Sequence, residues 1–322
     1  MVAVSSITRV LVLCAFGPPA SALTIESRID GGQWSQAGAI YPLQGQAVRL
    51  RAAKVPGASI RWYRIVPNIG KLYHNAEWPW NPGAYRWLGF EKIEYQRCEI
   101  ETARDRWEIN PFADPGNSKA LAASKHYRND LGSFWFQAEA TGPGGVDASP
   151  GLGDGNERGL SPGVFRISVR ESRGYLGWLT SLYNVPAVFG ATAYQSRNYL
   201  GLDCAKSLMC AYDLEKGLPQ DRDCNVECVI ARFPVVARFH LAQGKPDKTL
   251  RWGKDIRPGD FLAVEYQGAR SHQHIGAFYK DANGNGVLDP EDLVLQMGPE
   301  PLHVSTLSEG AFDGEIVVVR PP

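Results

Sequence analysis

Asn198-Tyr199-Leu200-Gly201-Leu202-Asp203-Cys204-Ala205 reads as the opening of a helix. Asp203 is of the N-cap residue type, helical spacing continues to Glu215, and Gly217-Leu218-Pro219 stops the run. Further along, Ser271-His272-Gln273-His274-Ile275-Gly276-Ala277-Phe278-Tyr279 reads as a strand that opens with histidines. Strands are also expected at Asp260–Tyr266, after Arg257-Pro258-Gly259, at Leu293–Gln296 and at Glu315–Val319. A helix that starts with a cysteine, packed on an antiparallel sheet that carries histidine, predicts an α+β layout for this part of the chain.

The same residues suggest a chemistry. A helix N-terminus lowers a thiol's pKa, and an imidazole within reach can take its proton and hold the ion pair. Period two puts His272, His274, Gly276 and Phe278 on one face of the strand and Ile275, Ala277 and Tyr279 on the other, so either histidine can face the helix. A lone histidine is usually an ordinary surface or core residue; it is the ordered set of cysteine, helix start and strand histidine that points to a cysteine hydrolase. Such a site needs a third polar group to orient the ring. Gln296 has an amide oxygen for that role, with His303 as the alternative.

At 322 residues the chain has room for two domains, and 44% hydrophobic residues suffice for a core in each. Lys+Arg 34 against Asp+Glu 34 leaves no basic surplus for nucleic acid or an anionic membrane. No segment after the first residues approaches the roughly 18 apolar residues of a membrane span. Residues 1–22 read as a signal peptide: a weakly basic start, the apolar run Val10–Phe16, and Ala20-Ser21-Ala22 as a cleavage site. This predicts a secreted or periplasmic protein. Five cysteines then remain, Cys98, Cys204, Cys210, Cys224 and Cys228, an odd number that implies a free thiol or one bonded outside the chain. Cys224 and Cys228 are close enough in sequence to bond each other, or one of them can reach Cys210.

Residues 23–173 have a different grammar. Ala47–Ala52, Ser59–Ile65, Ser133–Ala140 and Phe165–Arg170 alternate apolar and polar residues between turn signals, which predicts a β-sandwich-like domain. The Trp62-Tyr63 pair is loosely immunoglobulin-like. An insertion at Tyr73–Trp87 carries Trp78, Trp80, Tyr85 and Trp87 among prolines. These aromatics suit stacking on sugars, or they pin the loop to the sheet. Thr141–Pro162, rich in Gly, Pro, Asp and Ser, reads as a flexible loop.

From 174 to 322 the ordered motifs resemble the NlpC family of papain-like cell-wall cysteine peptidases. Val185-Pro186-Ala187-Val188-Phe189-Gly190 is similar to the family's Pro-Tyr-x-Trp-Gly segment, and Gly201-Leu202-Asp203-Cys204-Ala205 to its Asp-Cys-Ser turn. Arg257-Pro258-Gly259-Asp260-Phe261 matches the Pro-Gly-Asp before a core strand, and His274-Ile275-Gly276-Ala277-Phe278-Tyr279 the His-Val-Gly-Ile-Tyr strand. Gln296, then His303-Val304-Ser305, fits the third polar position and the turn after it. The resemblance implies a papain-like domain with Cys204 as nucleophile and His274 as base, cleaving a peptide or amide bond in peptidoglycan. Ala187 stands where the family often has tyrosine, Gln296 where histidine is common, and Ala205 where a small hydroxyl residue is usual. The rival reading is a catalytically silent cell-wall or glycan-binding protein that uses the same cleft. A third reading is a thiol-linked structural protein.

A second constellation is independent. Asp281-Ala282-Asn283-Gly284-Asn285-Gly286-Val287-Leu288-Asp289-Pro290-Glu291-Asp292 sets oxygen side chains at loop positions 1, 3, 5, 9 and 12, with glycine at 6 and the Val287 carbonyl at 7. That spacing predicts a structural Ca²⁺ held by Asp281, Asn283, Asn285, Val287, Asp289 and Asp292. The bland alternative is a hairpin turn that needs no ion. No organic cofactor is implied.

Overall fold

The computed structural model describes residues 23–77, 86–113, 124–220, 223–309 and 311–322. The leader at 1–22, and Trp78, Trp80 and Tyr85 of the aromatic insertion, lie outside the described residues.

Alternating and apolar runs between Gly, Pro and Asp turns form the strands β1 (Ile25–Ile29), β2 (Ala39–Ile40), β3 (Val48–Ala52), β4 (Ser59–Pro67), β5 (Tyr73–His74), β6 (Tyr95–Glu99), β7 (Glu108–Ile109), β8 (Gly132–Gly142), β9 (Gly145–Ala148) and β10 (Phe165–Val169). The chain continues through α1 (Tyr175–Thr180), β11 (Val188–Phe189), α2 (Ala193–Arg197), α3 (Cys204–Lys216) and α4 (Val226–Arg232). It ends with β12 (Val235–Ala242), β13 (Lys245–Pro246), β14 (Phe261–Glu265), β15 (His274–Lys280), β16 (Leu293–Gln296), β17 (His303–Thr306) and β18 (Gly314–Val319).

Sheets form in the orders β1-β3-β7, β2-β10-β8-β4-β6 with β9 on β8, β11-β5, and β13-β12-β18-β14-β15-β16-β17. The papain-like, helix-on-sheet α+β architecture expected from the sequence is not what the chain adopts. It is mostly β, 36% strand and 13% helix, with several sheets and a curled half-barrel. Pro186, Gly190 and Gly201 confine α1 and α2 to six and five residues, so among the described residues only α3, at 13, exceeds two turns. One long helix cannot make a layer. The alternating strands β12 and β17, which the sequence reading passed over, enlarge the last sheet instead.

The inner strands β14, β16 and β18 of that sheet are covered on both faces, which explains why they are near-continuous apolar runs. In β14, Phe261 and Ala263 join the largest apolar cluster, while Leu262 and Val264 join a second cluster around Phe239, Phe278 and Phe312. The largest cluster is continuous across position 173: it unites Trp62, Phe134 and Phe136 with Leu179, Tyr199, Leu208 and Val319. The pair Val188↔Tyr73 and Phe189↔His74 also crosses that position.

α3 is positioned by its ends. The Asp203 carboxylate accepts from the Lys206 N–H at 2.8 Å, and Gly217 closes the helix at φ 61°, a left-handed conformation that glycine adopts without strain. α3 lies between α1 and β15 and is buried from Ala205 to Asp213. Gly276 in β15 is required by close approach: a Cβ there would meet Phe312 and Val294 at 2.9 Å. Among the described residues Cys224 and Cys228 are bonded to each other, and Cys98, Cys204 and Cys210 are free thiols. No helix among the described residues is long and apolar enough to cross a membrane.

Candidate active site

Two neighbouring segments set the nucleophile in place. Val188 N–H donates to Leu202 O at 2.7 Å and Leu202 N–H to Pro186 O at 3.1 Å, which lays Pro186–Phe189 beside the chain that enters α3. Cys204, the first residue of α3, is half-buried and opens into a cavity of about 410 Å³. The cavity wall is largely apolar, with Leu72, Val188, Phe189 and Met297 among its residues, and His274 lines it as well. Among the described residues Cys204 is the only cysteine at this cavity; Cys210 is buried, its Sγ near Ser196 O and Gln220 Oε1.

His274 begins β15 and is 6% exposed. Its Nε2 meets Gln296 Oε1 at 2.7 Å, and the Gln296 amide donates to Ser305 Oγ at 2.6 Å. An amide oxygen only accepts, so the hydrogen of the neutral ring sits on Nε2 and Nδ1 keeps a lone pair. The ring also packs against Phe312, with centroids 5.1 Å apart. Gln296 thus occupies the orienting position. His272 is drawn away: its ring and its backbone N–H both bond Glu227 on α4, at 2.8 and 2.7 Å. His303 is also elsewhere, with Nδ1 on Pro301 O at 2.8 Å.

Cys204 and His274 share the cavity, but no hydrogen bond joins them. Burial pushes the Cys204 thiol up to about 12, and the Asp203 carboxylate adds to this, while the backbone N–H groups of Ala205, Ile275 and Cys204 itself act the other way. Burial likewise pushes the His274 ring down to about 4, against the acceptor Gln296. The resting pair at neutral pH is therefore a thiol and a neutral imidazole, not the ion pair that the helix start suggests. A helix terminus contributes about 0.3–1 kcal/mol, whereas desolvation moves a buried group by several pKa units. Burial also raises Asp203 to about 6, and its carboxylate is spent as the α3 cap.

The depressed ring has a measurable consequence. An unfolded histidine takes its proton near 6.5 and the folded one near 4, so the unfolded chain binds more protons between these values. The stability is present above about 6.5 and is lost as pH falls toward 4. Urea unfolding of the wild type is expected to lose roughly 2–3 kcal/mol more between pH 7.5 and 4.5 than unfolding of His274→Gln. Equal slopes for the two proteins would remove His274 as the buried neutral group.

The loop between β15 and β16 is closed by its own acidic residues. Asp281 accepts from the N–H groups of Gly284 and Gly286 at 2.7 and 2.8 Å, and the amides of Asn283 and Asn285 each reach Asp289 Oδ2 at 2.7 Å. Val287 N–H donates to Asn285 Oδ1 at 2.7 Å. Asp292 is fully buried and accepts from the Trp252 indole at 2.8 Å and from Ala282 and Asp289 N–H at 3.0 Å. Asp292 therefore braces the loop onto Trp252, and the side-chain oxygens of Asp281, Asn283, Asn285 and Asp289 lie on the exposed turn.

Two contacts that carry the site's surroundings had no signal in the sequence. His126 meets Glu300 and His303, and Arg320 forks onto Asp260. Both join residues far apart in the chain, with no local period to reveal them. No protein-family model, no curated protein and no solved structure matches the chain.

Proposed function

We propose that the chain is a cysteine hydrolase that cleaves a peptide or amide bond, with Cys204 as nucleophile, His274 as base and Gln296 as the residue that orients the ring. The observation that carries this reading is the cavity that a free thiol at a helix start shares with a histidine held as one tautomer by Gln296 and Ser305. From a neutral pair the proton moves as the bond forms. Cys204 Sγ attacks the carbonyl carbon while His274 Nδ1 takes the thiol proton, giving a tetrahedral oxyanion beside the first N–H groups of α3. His274 then gives the proton to the leaving amine, and the C–N bond breaks to leave a thioester. Water, deprotonated by the same ring, hydrolyses the thioester and returns the thiol.

The substrate class follows from the ordered motifs that resemble the NlpC family: a peptide or amide bond in the stem peptide of peptidoglycan. A secreted or periplasmic location is supported by the Cys224–Cys228 disulfide, which persists in oxidising compartments. We also assign a structural Ca²⁺ to the Asp281–Asp292 loop, on its oxygen spacing. Saturating Ca²⁺ at about 100 times its Kd is expected to add about 2.7 kcal/mol to unfolding, an increment that Asp281→Asn removes. An unchanged melting curve on adding Ca²⁺ to chelator-treated protein would return the loop to a plain hairpin turn.

The deciding experiment is digestion of purified muropeptides with product masses. Hydrolysis adds one water to the pair of products and exposes a new amine at the cleaved bond. The neutral pair and the missing bond between Cys204 and His274 favour one other reading, a silent wall-binding protein. Sedimentation with intact cell wall, without any product of altered mass, would establish that reading in place of the hydrolase.

A further inference from the structure

The segment Ser124–Arg128 and the loop from β16 to β17 meet beside the Cys204 cavity. There, one ligand atom from each of His126, Glu300 and His303 falls within 4.8 Å of the others. His126 Nε2 lies 3.1 Å and His303 Nε2 3.7 Å from the same oxygen, Glu300 Oε2. The two rings are 4.6 Å apart, inclined at 38°. In a tetrahedral site with bonds of about 2.1 Å, ligand atoms sit about 3.4 Å from one another, a value that the two distances to Glu300 Oε2 bracket.

The hydrogen positions sharpen this. His303 Nδ1 faces the Pro301 carbonyl at 2.8 Å, and a carbonyl can only accept. The neutral ring therefore carries its hydrogen on Nδ1 and turns the Nε2 lone pair toward Glu300. An outer hydrogen bond of this kind is what orients a metal-binding imidazole. His126 Nε2 is buried and lies close to Glu300 Oε2 without a well-directed hydrogen bond to it. Two imidazole nitrogens and a carboxylate oxygen thus gather at one place. The nearest other charge, the Lys125 ammonium, lies 3.5 Å from the opposite carboxylate oxygen, Oε1, and is largely exposed.

We propose that His126, Glu300 and His303 form a binding site for a divalent transition metal of the zinc class, with water as the fourth ligand. Two imidazole nitrogens and one carboxylate oxygen suit Zn²⁺, whereas Ca²⁺ and Mg²⁺ take oxygen-only shells. A cavity of about 340 Å³ lined by His126 and Glu300 leaves room for the exchangeable ligand. The ion ties Ser124–Arg128 to the loop whose residues Met297, Gly298 and Pro299 form one wall of the Cys204 cavity. It therefore sets the position of that wall, whatever reaction the cavity serves.

The test is calorimetric titration of Zn²⁺ into the full, chelator-stripped chain in excess Ca²⁺, which keeps the Asp281–Asp292 loop from competing. One ion per chain is expected to bind the wild type. His126→Ala and His303→Ala are each expected to weaken binding by more than about 10-fold, and the double variant to lose it. His126→Gln and Glu300→Gln, which keep volume and polarity, should show the same direction, so that a poorly folded alanine variant does not decide the result. His240→Ala, at an exposed histidine paired with Glu315, should bind as the wild type does. Co²⁺ in place of Zn²⁺ should give a spectrum without a thiolate-to-metal charge-transfer band. The proposal is overturned by a wild type that takes up no Zn²⁺, by full binding in the double variant, or by a thiolate band that would move the ion to Cys204.

Discussion

Cys204→Ala is expected to lower turnover by at least about 10³-fold while unfolding within about 1 kcal/mol of the wild type. The side chain is half-buried at the rim of the cavity, makes no hydrogen bond to another side chain, and lies outside the Asp203 cap that starts α3. On the proposed mechanism its removal takes away the thiol that forms the thioester and little of the packing. His274→Ala should cost a similar factor, and the double variant no more than either alone, because the two groups act as a unit. Gln296→Ala should fall between, since the ring keeps its place in β15 but loses the acceptor that holds Nε2–H. Normal turnover by Cys204→Ala would end the hydrolase reading outright.

Arg320→Ala is expected to cost about 3 kcal/mol of unfolding free energy, the largest stability effect of any single substitution considered in this molecule. Arg320 follows β18 and donates from Nε and Nη2 to the two oxygens of Asp260 at 2.8 and 2.7 Å. Asp260 is 3% exposed and also accepts from the Arg257 N–H at 2.8 Å. Without the guanidinium, a buried carboxylate loses its countercharge at the turn that leads into β14, the strand next to the one carrying His274. Arg320→Lys should recover only part of the loss, because an ammonium cannot fork onto both oxygens. Chemical denaturation of the three proteins measures this, and equal midpoints would show that the pair contributes nothing.

Much of the local structure around the site was legible. Asp203 as a cap and Gly217 as a stop gave the ends of α3, and short apolar runs between turn signals gave β14, β15, β16 and β18. The neighbourhood of His274 and Gln296 followed from adjacent strands, since Gly276 pairs with Gln296 in the register of β15 and β16. The papain-like layout did not follow. It assumed that one strong helix defines a layer, and it missed β12, whose alternation is confined to residues 238–242 and follows the unpatterned Val235-Val236-Ala237. The protonation of the pair was also misread, because the helix start is a property of neighbouring residues and burial is not.

By itself the sequence determined where α3 begins and ends, where the apolar strands β14, β15, β16 and β18 lie, and that a cysteine and a histidine stand at the starts of their elements. Caps, turns and periods act over a few residues and are written in order along the chain. Only the tertiary structure decided that the sheets dominate, that His274 rather than His272 reaches the cavity, that Arg320 answers Asp260, and that His126 joins Glu300 and His303. Each of these depends on the path of the whole backbone and on how far water is excluded. Desolvation and contacts between distant segments have no period from which to be read.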